Sequence, residues 1–426
     1  MSGTSVLYMS RRRNIQVFEH EKLTTNHNYR GEALTEAELN ALLTFNDQNQ
    51  NEYFVPIRDG VKFTSYVGVI QIGTLTLEIL PKADKTHNNS KEVYMQWRDV
   101  LLTMLRICKH INVNAVSEAN LKQRQSSLLD LYFKMYLKEI ERIIHEGLFK
   151  RYKPSTENIN VWKGRIRFSQ HIQRNIITKD KFYTTHQIYS QDHVVNQILK
   201  KALHVISVVS SSPDIISQCH KLLGHFEEVS DVKVTDITFQ KINPSRKLRS
   251  YQSAIKIANI IILNYSPEIK SGGTKLLALL FDMNTLWENF LFRMLKRMDQ
   301  SDYHISAQES QKFWEKKTVR PDIVLTNKVT NETFIIDAKW KIIDTNKPSD
   351  ADLKQMYVYN LYWDAAKSML LYPTNCEATE HFGSYHKGRE GENSCKLGFL
   401  KVMDEHGKLD MRVGERILEK LEVIHN

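Results

Sequence analysis

The chain has 426 residues, of which 41% are hydrophobic and 25% are charged, a composition that excludes a disordered chain and predicts two or three globular domains. Its 59 basic and 49 acidic residues give a net charge of +10, which fits a polyanionic partner and ordinary surface charge equally well. No apolar run is long enough for a membrane span, no secretory signal pattern is present, and the four cysteines are scattered, so we expect a cytoplasmic protein with no membrane contact.

Residues 1–90 are predicted to form a β-rich N-terminal domain. The stretch FVPIRDGVKFTSYVGVIQIGTLTLEILPK alternates in part between apolar and polar positions, and Gly73 with Thr74 is placed like a hairpin turn. Pro81 ends the second run, and a polar linker follows it. The apolar positions of the hairpin, Tyr66 to Ile79, are typical of core packing.

Residues 91–268 are predicted to form a mainly helical middle domain. Apolar residues recur three and four positions apart in VYMQWRDVLLTMLRICKHI and in SLLDLYFKMYLKEIERIIHEGL, as they do in amphipathic helices. Gly147 is expected to cap the second helix. Three more helical patterns follow a short strand-like piece around Gly164.

Basic and aromatic residues interleave near this piece: Arg165, Arg167, Arg174, Trp162 and Phe168. Such mixtures bind the DNA backbone in some proteins, but more often they mark the edge of a folded domain. DNA contact here is the less favoured of the two interpretations.

Residues 269–426 are predicted to form a C-terminal α/β domain, because strand and helix patterns alternate after the loop SPEIKSGGTK. The expected fold class is therefore multidomain α+β: a β-rich N-terminal domain, a helical middle and a C-terminal α/β core.

The stretch RPDIVLTNKVTNETFIIDAKWK predicts a β-hairpin with one carboxylate on each strand. If the turn centres between Val329 and Thr330, Asp322 faces Asp337, and Lys339 lies on the same face two residues further on. Two carboxylates so close do not both ionise easily unless a cation lies between them, and Mg²⁺ commonly takes one or two carboxylates with water and phosphate. A lysine beside them can orient or deprotonate a water, or stabilise the transition state of phosphodiester hydrolysis. The alternative is a surface hairpin with an Asp–Lys ion pair.

Two neighbouring helices carry further candidates. Glu288 lies in the largely apolar pattern NTLWENFLFRMLKRM, where a carboxylate needs a partner unless it faces solvent near the helix start. Gln355 and Tyr359 are four residues apart and share a helix face, either as site residues or as a polar edge and a core aromatic. Lys341 and Asp352 are interpreted as surface charges.

These motifs resemble those of PD-(D/E)xK nucleases, with Asp322, Asp337 and Lys339 in the three signature positions. Glu288 is similar to the acidic residue of the first core helix, and Gln355 with Tyr359 is similar to the QxxxY element of one branch. Together with YVGVIQIGTLTLEILPK and WKGRI, they resemble the McrC family, the nuclease subunits of McrBC-type restriction systems directed at modified DNA such as 5-methylcytosine.

The resemblance implies a Mg²⁺-dependent endonuclease acting on double-stranded DNA in antiviral defence. It implies Asp322, Asp337 and Glu288 as metal ligands, with Lys339 and Gln355 completing the catalytic set. It also implies an McrB-like AAA+ GTPase hexamer as partner, which binds the GTP, reads the modified DNA and docks the N-terminal domain of this chain. This sequence has no GxxxxGK[ST] loop, which agrees with the binding of GTP by the partner.

Two other functions stay open. A DNA-repair nuclease of the RecB or Cas4 type shares the QxxxY variant, but many such enzymes hold an iron–sulfur cluster, and Cys376 and Cys395 are the only late cysteines. A catalytically silent activator of an AAA+ motor is the third possibility, which the intact Asp322, Asp337 and Lys339 set disfavours.

Overall fold

A computed structural model describes residues 13–27, 32–82, 90–110, 127–242, 245–266, 275–298, 303–343, 348–374, 380, 382–385 and 393–421. The predicted linker at 83–89, the predicted boundary at 268/269 with most of its loop, and Cys376 lie outside the described residues. No helix within the described ranges is long and apolar enough to cross a membrane.

The α-helices have these bounds: α1 Glu36–Gln48, α2 Lys91–Ile107, α3 Leu128–Glu146, α4 Phe168–Asn175, α5 Val194–Val209, α6 Pro213–Leu223, α7 Asp236–Gln240, α8 Gln252–Leu263, α9 Met283–Lys296, α10 Asp350–Trp363 and α11 Val413–Lys420. Short 3₁₀ turns lie at Gly224–Phe226 and Arg246–Leu248.

The strands have these bounds: β1 Arg13–Phe18, β2 Lys22–Thr24, β3 Phe54–Ile57, β4 Gly60–Phe63, β5 Tyr66–Ile72, β6 Leu75–Leu80, β7 Arg151–Ile159, β8 Arg165–Ile166, β9 Phe182–Ser190, β10 Tyr265–Ser266, β11 Leu276–Asp282, β12 Tyr303–Ala307, β13 Gln311–Trp314, β14 Lys317–Val319, β15 Ile323–Asn327, β16 Thr333–Ala338, β17 Lys367–Thr374, β18 Phe382–Ser384 and β19 Ser394–Lys401.

The chain divides into two compact units. Unit 1 comprises Met1–Val113, Ile269–Thr274 and Leu280–Asn426, so it joins segments that are far apart in the sequence. Unit 2 comprises Asn114–Glu268 and Lys275–Leu279. Of the three domains predicted from the sequence, 1–90 lies wholly within unit 1, and 269–426 lies mostly within it.

The N-terminal part of unit 1 contains the predicted hairpin. Strand β6 pairs antiparallel with β5 and parallel with β1, and Gly73 takes a positive φ of +54° in the turn. Strands β5 and β6 are buried along almost their whole length, which confirms core packing for the apolar side chains of Tyr66–Ile79. Helix α2 packs against β6 and α9.

The same region also contains the helix α1, which the β-rich prediction did not include. Its first turn forms a capping box between Thr35 and Glu38, in which each side chain binds the backbone N–H of the other residue. Strands β2, β4 and β3 form a small antiparallel sheet in this order.

The C-terminal part of unit 1 is built on a six-stranded sheet in the order β12-β15-β16-β17-β19-β18. Strands β12, β15 and β16 are antiparallel neighbours, whereas β16, β17 and β19 are parallel. Helix α9 packs against β12 and β16, and α10 packs against β16, β17 and β19. This confirms the predicted α/β character, because parallel strands need crossover helices that cover the sheet.

Unit 2 combines the predicted helices with a β-ribbon. Helices α3, α5, α6 and α8 pack on one another, and Gly147 caps α3 as predicted, with φ +92°. Strand β7 pairs with β9 over nine residues, and the short β8 pairs with the other edge of β9. The sequence predicts only a short strand here, because β7 is largely solvent-exposed, polar and interrupted by Pro154, so it lacks apolar alternation.

The predicted basic and aromatic cluster lies on this ribbon and on α4. Its residues are exposed, with Trp162 at 65% and Phe168 at 70%. Arg174 stacks over the ring of Tyr183 at 4.6 Å. DNA contact through this cluster stays a prediction.

Candidate active site

The two acidic strands pair in the predicted register. Ile323 lies opposite Ile336 and Val324 opposite Ile335, so the same register places Asp322 opposite Asp337 at the open end of the hairpin. The turn is held by Asn327, whose side-chain oxygen accepts the backbone N–H groups of Val329 and Thr330. A turn fixed by its own side chain leaves little room for a slip of one residue, which would move Asp337 to the other face.

Asp337 and Lys339 form a close ion pair at the end of β16. The distance from Lys339 Nζ to Asp337 Oδ2 is 2.6 Å, and the Asp337 side chain is only 2% exposed. The backbone N–H of Lys339 donates to the carbonyl of Leu371 on β17 at 2.9 Å, so the main chain beyond β16 stays aligned with the sheet. The predicted placement of Lys339 on the face of Asp337 is confirmed.

Gln355 and Tyr359 reach the same pair from α10. The Gln355 amide accepts from Lys339 Nζ at 3.4 Å through Oε1 and points Nε2 toward Asp337 Oδ1 at 3.5 Å. The same Nε2 donates to the Tyr359 hydroxyl at 2.7 Å, and that hydroxyl donates to the carbonyl of Arg320 at 2.9 Å. Tyr359 is also buried in the core next to the sheet. It is therefore a core aromatic and, with Gln355, a member of the hydrogen-bond network around Asp337.

Burial and charge set the protonation of the acidic pair. Burial, followed by the charges of Asp337 and Glu288, raises the pKa of Asp322 to about 8, although the backbone N–H of Ala338 donates to its Oδ2 at 2.8 Å. Burial also raises the pKa of Asp337, and the charge of Lys339 offsets part of that rise. Without a cation between them, the two carboxyls do not both ionise at neutral pH.

Lys339 remains an ammonium in this setting. Burial lowers its pKa, but the charge and hydrogen bond of Asp337 raise it by more, so that the pKa lies above its usual value. The sequence left open whether this lysine removes a proton or stabilises negative charge. A protonated amine favours the second role.

Glu288 lies on α9, half-buried and within the electrostatic field of the pair. Burial, followed by the charge of Asp337, raises its pKa to about 7, and the charges of Lys339 and Arg320 oppose that rise. Within the described ranges, no three His, Cys, Asp or Glu side chains are grouped closely enough to hold a metal ion. Asp322 and Asp337 therefore stand as a two-carboxylate set, and ligation by Glu288 stays a prediction.

Two neighbours of the site carry no recognisable sequence signal. The indole Nε1 of Trp340 donates to Glu19 Oε1 at 2.7 Å, and the backbone N–H of Lys82 donates to the same oxygen at 2.9 Å. The Trp340 ring packs edge-on against Trp287, the residue before Glu288, at a centroid distance of 5.2 Å. Burial raises the pKa of Glu19 to about 8. One buried indole thus joins the strand of Lys339 to the helix of Glu288.

Lys341 and Asp352 form a separate ion pair of 2.6 Å, with the lysine 43% exposed. Lys341 is a surface charge, as predicted. Asp352 is only 13% exposed and its charge raises the pKa of Asp337, so it lies closer to the site than its interpretation as a surface charge implies.

The fold and the site define a mixed α/β protein whose candidate active site consists of two facing carboxylates and a lysine on adjacent strands. The sequence profile of the family described as "McrBC 5-methylcytosine restriction system component" matches residues 61–373, well over half of the chain, and the chain belongs to this family.

Known proteins resemble the chain in sequence and in fold. It is 23% identical over 295 residues to the type IV methyl-directed restriction enzyme EcoKMcrBC of Escherichia coli (strain K12). The matched residues cover 62% of this chain and 83% of that protein. The fold is similar to a chain of a half-complex from a tetradecameric assembly of Thermococcus gammatolerans McrB AAA+ hexamers with bound McrC, with a TM-score of 0.71, 15% identity and coverage of 97% and 100%. A second structure of the T. gammatolerans McrBC complex gives a TM-score of 0.51 at 16% identity, covering 67% of this chain and 87% of that one.

Proposed function

We propose that this chain is the Mg²⁺-dependent DNA endonuclease subunit of a restriction complex that cuts modified, methylated foreign DNA. The observation that carries the proposal is the facing pair Asp322 and Asp337 with the Lys339 ammonium 2.6 Å from Asp337. The antiparallel-then-parallel order of β15, β16 and β17 between α9 and α10 supports a PD-(D/E)xK type of core.

The partner in this proposal is an McrB-like AAA+ GTPase hexamer, which binds and hydrolyses GTP. This chain stimulates that GTP hydrolysis. Support comes from the family of the chain and from the fold of relatives solved with McrB AAA+ hexamers. The complex acts on double-stranded DNA in the cytoplasm.

The pair Asp322 and Asp337 fits a divalent cation that prefers oxygen ligands. Asp337 is buried, Asp322 is partly buried, and the pKa of each is raised, so a bound cation would offset the repulsion that now keeps one of them protonated. Asp322 and Asp337 would hold a Mg²⁺ ion, which would supply Lewis acidity toward the scissile phosphate and lower the pKa of a water.

The protein groups around the pair have separate roles in this mechanism. Lys339 holds its proton and places positive charge beside the phosphate, where negative charge grows in the transition state. Gln355 fixes the lysine through its carbonyl oxygen, and Tyr359 fixes Gln355. Because the Asp337 side chain is almost fully buried, these charges interact with little screening by water.

The direct test is Asp337→Asn in the complex reconstituted with the AAA+ partner, GTP, Mg²⁺ and a methylated duplex. We expect cleavage to fall by at least about 100-fold, because a ligand and the counter-ion of Lys339 are lost together. Complex assembly and stimulation of GTP hydrolysis are expected to remain within about twofold of the wild type, since the mechanism places nucleotide binding on the partner.

Glu415→Gln is the matched control. It also replaces a carboxylate by an amide, but in an exposed ion pair of 2.7 Å with Arg412. Cleavage by this variant is expected to stay within about twofold of the wild type. Wild-type cutting by Asp337→Asn would exclude the proposed site, and equal loss in both variants would show a general effect of charge removal.

A further inference from the structure

A small hairpin leads directly into the acidic site. Strands β13 (Gln311–Trp314) and β14 (Lys317–Val319) pair with each other and with no other described strand. The turn between them is Glu315-Lys316, with Glu315 at φ +47°, and a register shift follows Lys312. Three residues after β14 ends, the chain reaches Asp322.

The hairpin is basic, aromatic and exposed. Phe313 and Trp314 are 51% and 60% exposed, unusual for side chains of this size. Lys312, Lys316 and Lys317 are also exposed, and among the described residues no carboxylate lies within ion-pair distance of these three lysines. Three lysines against one carboxylate, Glu315 in the turn, give the hairpin a net charge of +2 beside exposed aromatic rings.

The base of the hairpin is fixed to the catalytic network. Val319 packs against the core cluster that contains Tyr359, and the Tyr359 hydroxyl donates to the carbonyl of Arg320. The ring of Phe313 packs against that of Tyr362 on α10 in a tilted arrangement, with a centroid distance of 5.9 Å. The charge of Arg320 lowers the pKa of Glu288, so the basic character of the segment extends to the site itself.

We infer that the hairpin 311–319 binds the DNA backbone next to the scissile phosphate, an assignment that rests on the proposed nuclease function. A strand rises about 3.3 Å per residue, so the four residues from Arg320 to Lys316 span about 13 Å. Along a duplex this distance equals about four base-pair steps of 3.4 Å. The hairpin places two lysines and an indole along the strand that the acidic pair cuts.

DNA explains this surface better than a protein partner does. Lysine is depleted in the buried core of protein–protein interfaces, whereas phosphates attract it and release counterions when it binds. The exposed rings suit contact with sugars or with unstacked bases, which are apolar surfaces that lie between phosphates.

The test compares Lys316→Ala/Lys317→Ala with the charge-conserving Lys316→Arg/Lys317→Arg in the reconstituted complex. The readouts are kcat and KM for cleavage of a methylated duplex and equilibrium binding of a labelled duplex, both over a range of NaCl concentrations. We expect the alanine pair to raise KM and weaken binding, to lower the slope of log affinity against log salt by about 2, and to leave kcat unchanged. The arginine pair should behave as the wild type.

Lys328→Ala provides the positional control, since Lys328 lies in the turn at the other end of β15 and β16. It should change neither KM nor the salt slope. Unchanged salt slopes in the alanine pair would overturn the assignment. So would a parallel loss of GTPase stimulation or assembly, which would place the hairpin against the AAA+ partner.

Failure of the hairpin assignment can be distinguished from failure of the proposed nuclease function. Failure of the nuclease assignment appears as cleavage by Asp337→Asn, whereas the duplex-binding measurement of the hairpin variants needs no cleavage. Trp314→Ala adds a second line of evidence: it should raise KM without changing the salt slope, and Trp314→Phe should restore most of the affinity.

Discussion

The ammonium of Lys339 lies 2.6 Å from Asp337, and it is the only cation in ion-pair contact with either acid of the facing pair among the described residues. Asp322, opposite, is partly buried, and its pKa is raised to about 8, so it is protonated at neutral pH. The lysine then balances the one negative charge of the pair, and a divalent cation that binds both carboxyls must displace the proton of Asp322.

This relationship predicts that Mg²⁺ binding tightens as the pH rises. Below the Asp322 pKa of about 8, binding releases a proton, so the apparent dissociation constant should fall about tenfold per pH unit and level off above pH 8. Calorimetric titration of the isolated chain with Mg²⁺ between pH 6.5 and 9 measures this directly. Equal midpoints at pH 6.5 and pH 8.5 would contradict a cation site on Asp322.

Tyr359→Phe should slow cleavage without changing the ligands. The substitution leaves the carbonyl of Arg320 and the amide of Gln355 without a hydroxyl partner, and Gln355 is the contact that orients Lys339 and Asp337. Small displacements of catalytic groups cost on the order of 10- to 100-fold in rate. We expect a loss of kcat in this range with Mg²⁺ binding retained, as measured by single-turnover cleavage and calorimetry. A fall in Mg²⁺ affinity equal to the fall in rate would show that Tyr359 supports the fold of the site rather than the position of Lys339.

Glu19→Gln should remove a pH dependence from stability. The pKa of Glu19 is raised to about 8 in the folded chain by burial, against 4.5 in an exposed carboxyl, so the folded state holds a proton that the unfolded state releases. The stabilisation is complete below pH 4.5 and declines as the pH rises toward 8, by about 5 kcal/mol for a rise of about 3.5 pKa units. The amide that the substitution introduces keeps an acceptor for Trp340 and Lys82, so denaturant unfolding of the variant should lack this decline. Parallel pH profiles for both proteins would show that Glu19 is ionised in the fold.

Three glycines of unit 2 should rank in a fixed order when replaced by alanine. Gly224 has an ordinary helical φ of −57° and open space around it, so Gly224→Ala should be neutral or stabilise by about 0.4–1 kcal/mol. Gly147 has open space but φ +92°, which costs roughly 1–3 kcal/mol in a non-glycine residue. At Gly164, φ is +70° and an added Cβ would overlap the carbonyl oxygen of Thr185, so Gly164→Ala should be the most destabilising.

Thermal unfolding and limited proteolysis of the full chain measure this order. If Gly164→Ala were no worse than Gly147→Ala, the close approach of the chain to β9 at Thr185 would be absent in solution.

Local patterns in the sequence were enough to predict the acidic hairpin. Two apolar runs predicted the strands, a turn assumed to centre between Val329 and Thr330 gave the register, and strand geometry then put Lys339 beside Asp337. The long amphipathic helices were equally predictable, because a stripe of apolar residues determines which face is buried.

Contacts between distant segments were not predictable. Glu19 and Trp340 are 321 residues apart, and neither residue type in its local context indicates a buried hydrogen bond. The ribbon of β7 and β9 was missed because β7 is largely exposed, and an exposed strand needs no apolar alternation. The hairpin 311–319 was missed for the same reason, since both of its strands are largely exposed.

The discontinuity of unit 1 has a consequence for how the chain is made. Synthesis proceeds at roughly 5–20 residues per second, so Glu19 leaves the ribosome roughly 15–60 s before Trp340 exists. During this interval α2 lacks the helix α9 against which it packs, and the apolar surface it will bury remains open to water. Newly made N-terminal segments should therefore be found bound to holding chaperones, and they should be released only after translation has passed α9 and the segment that carries Lys339 and Trp340.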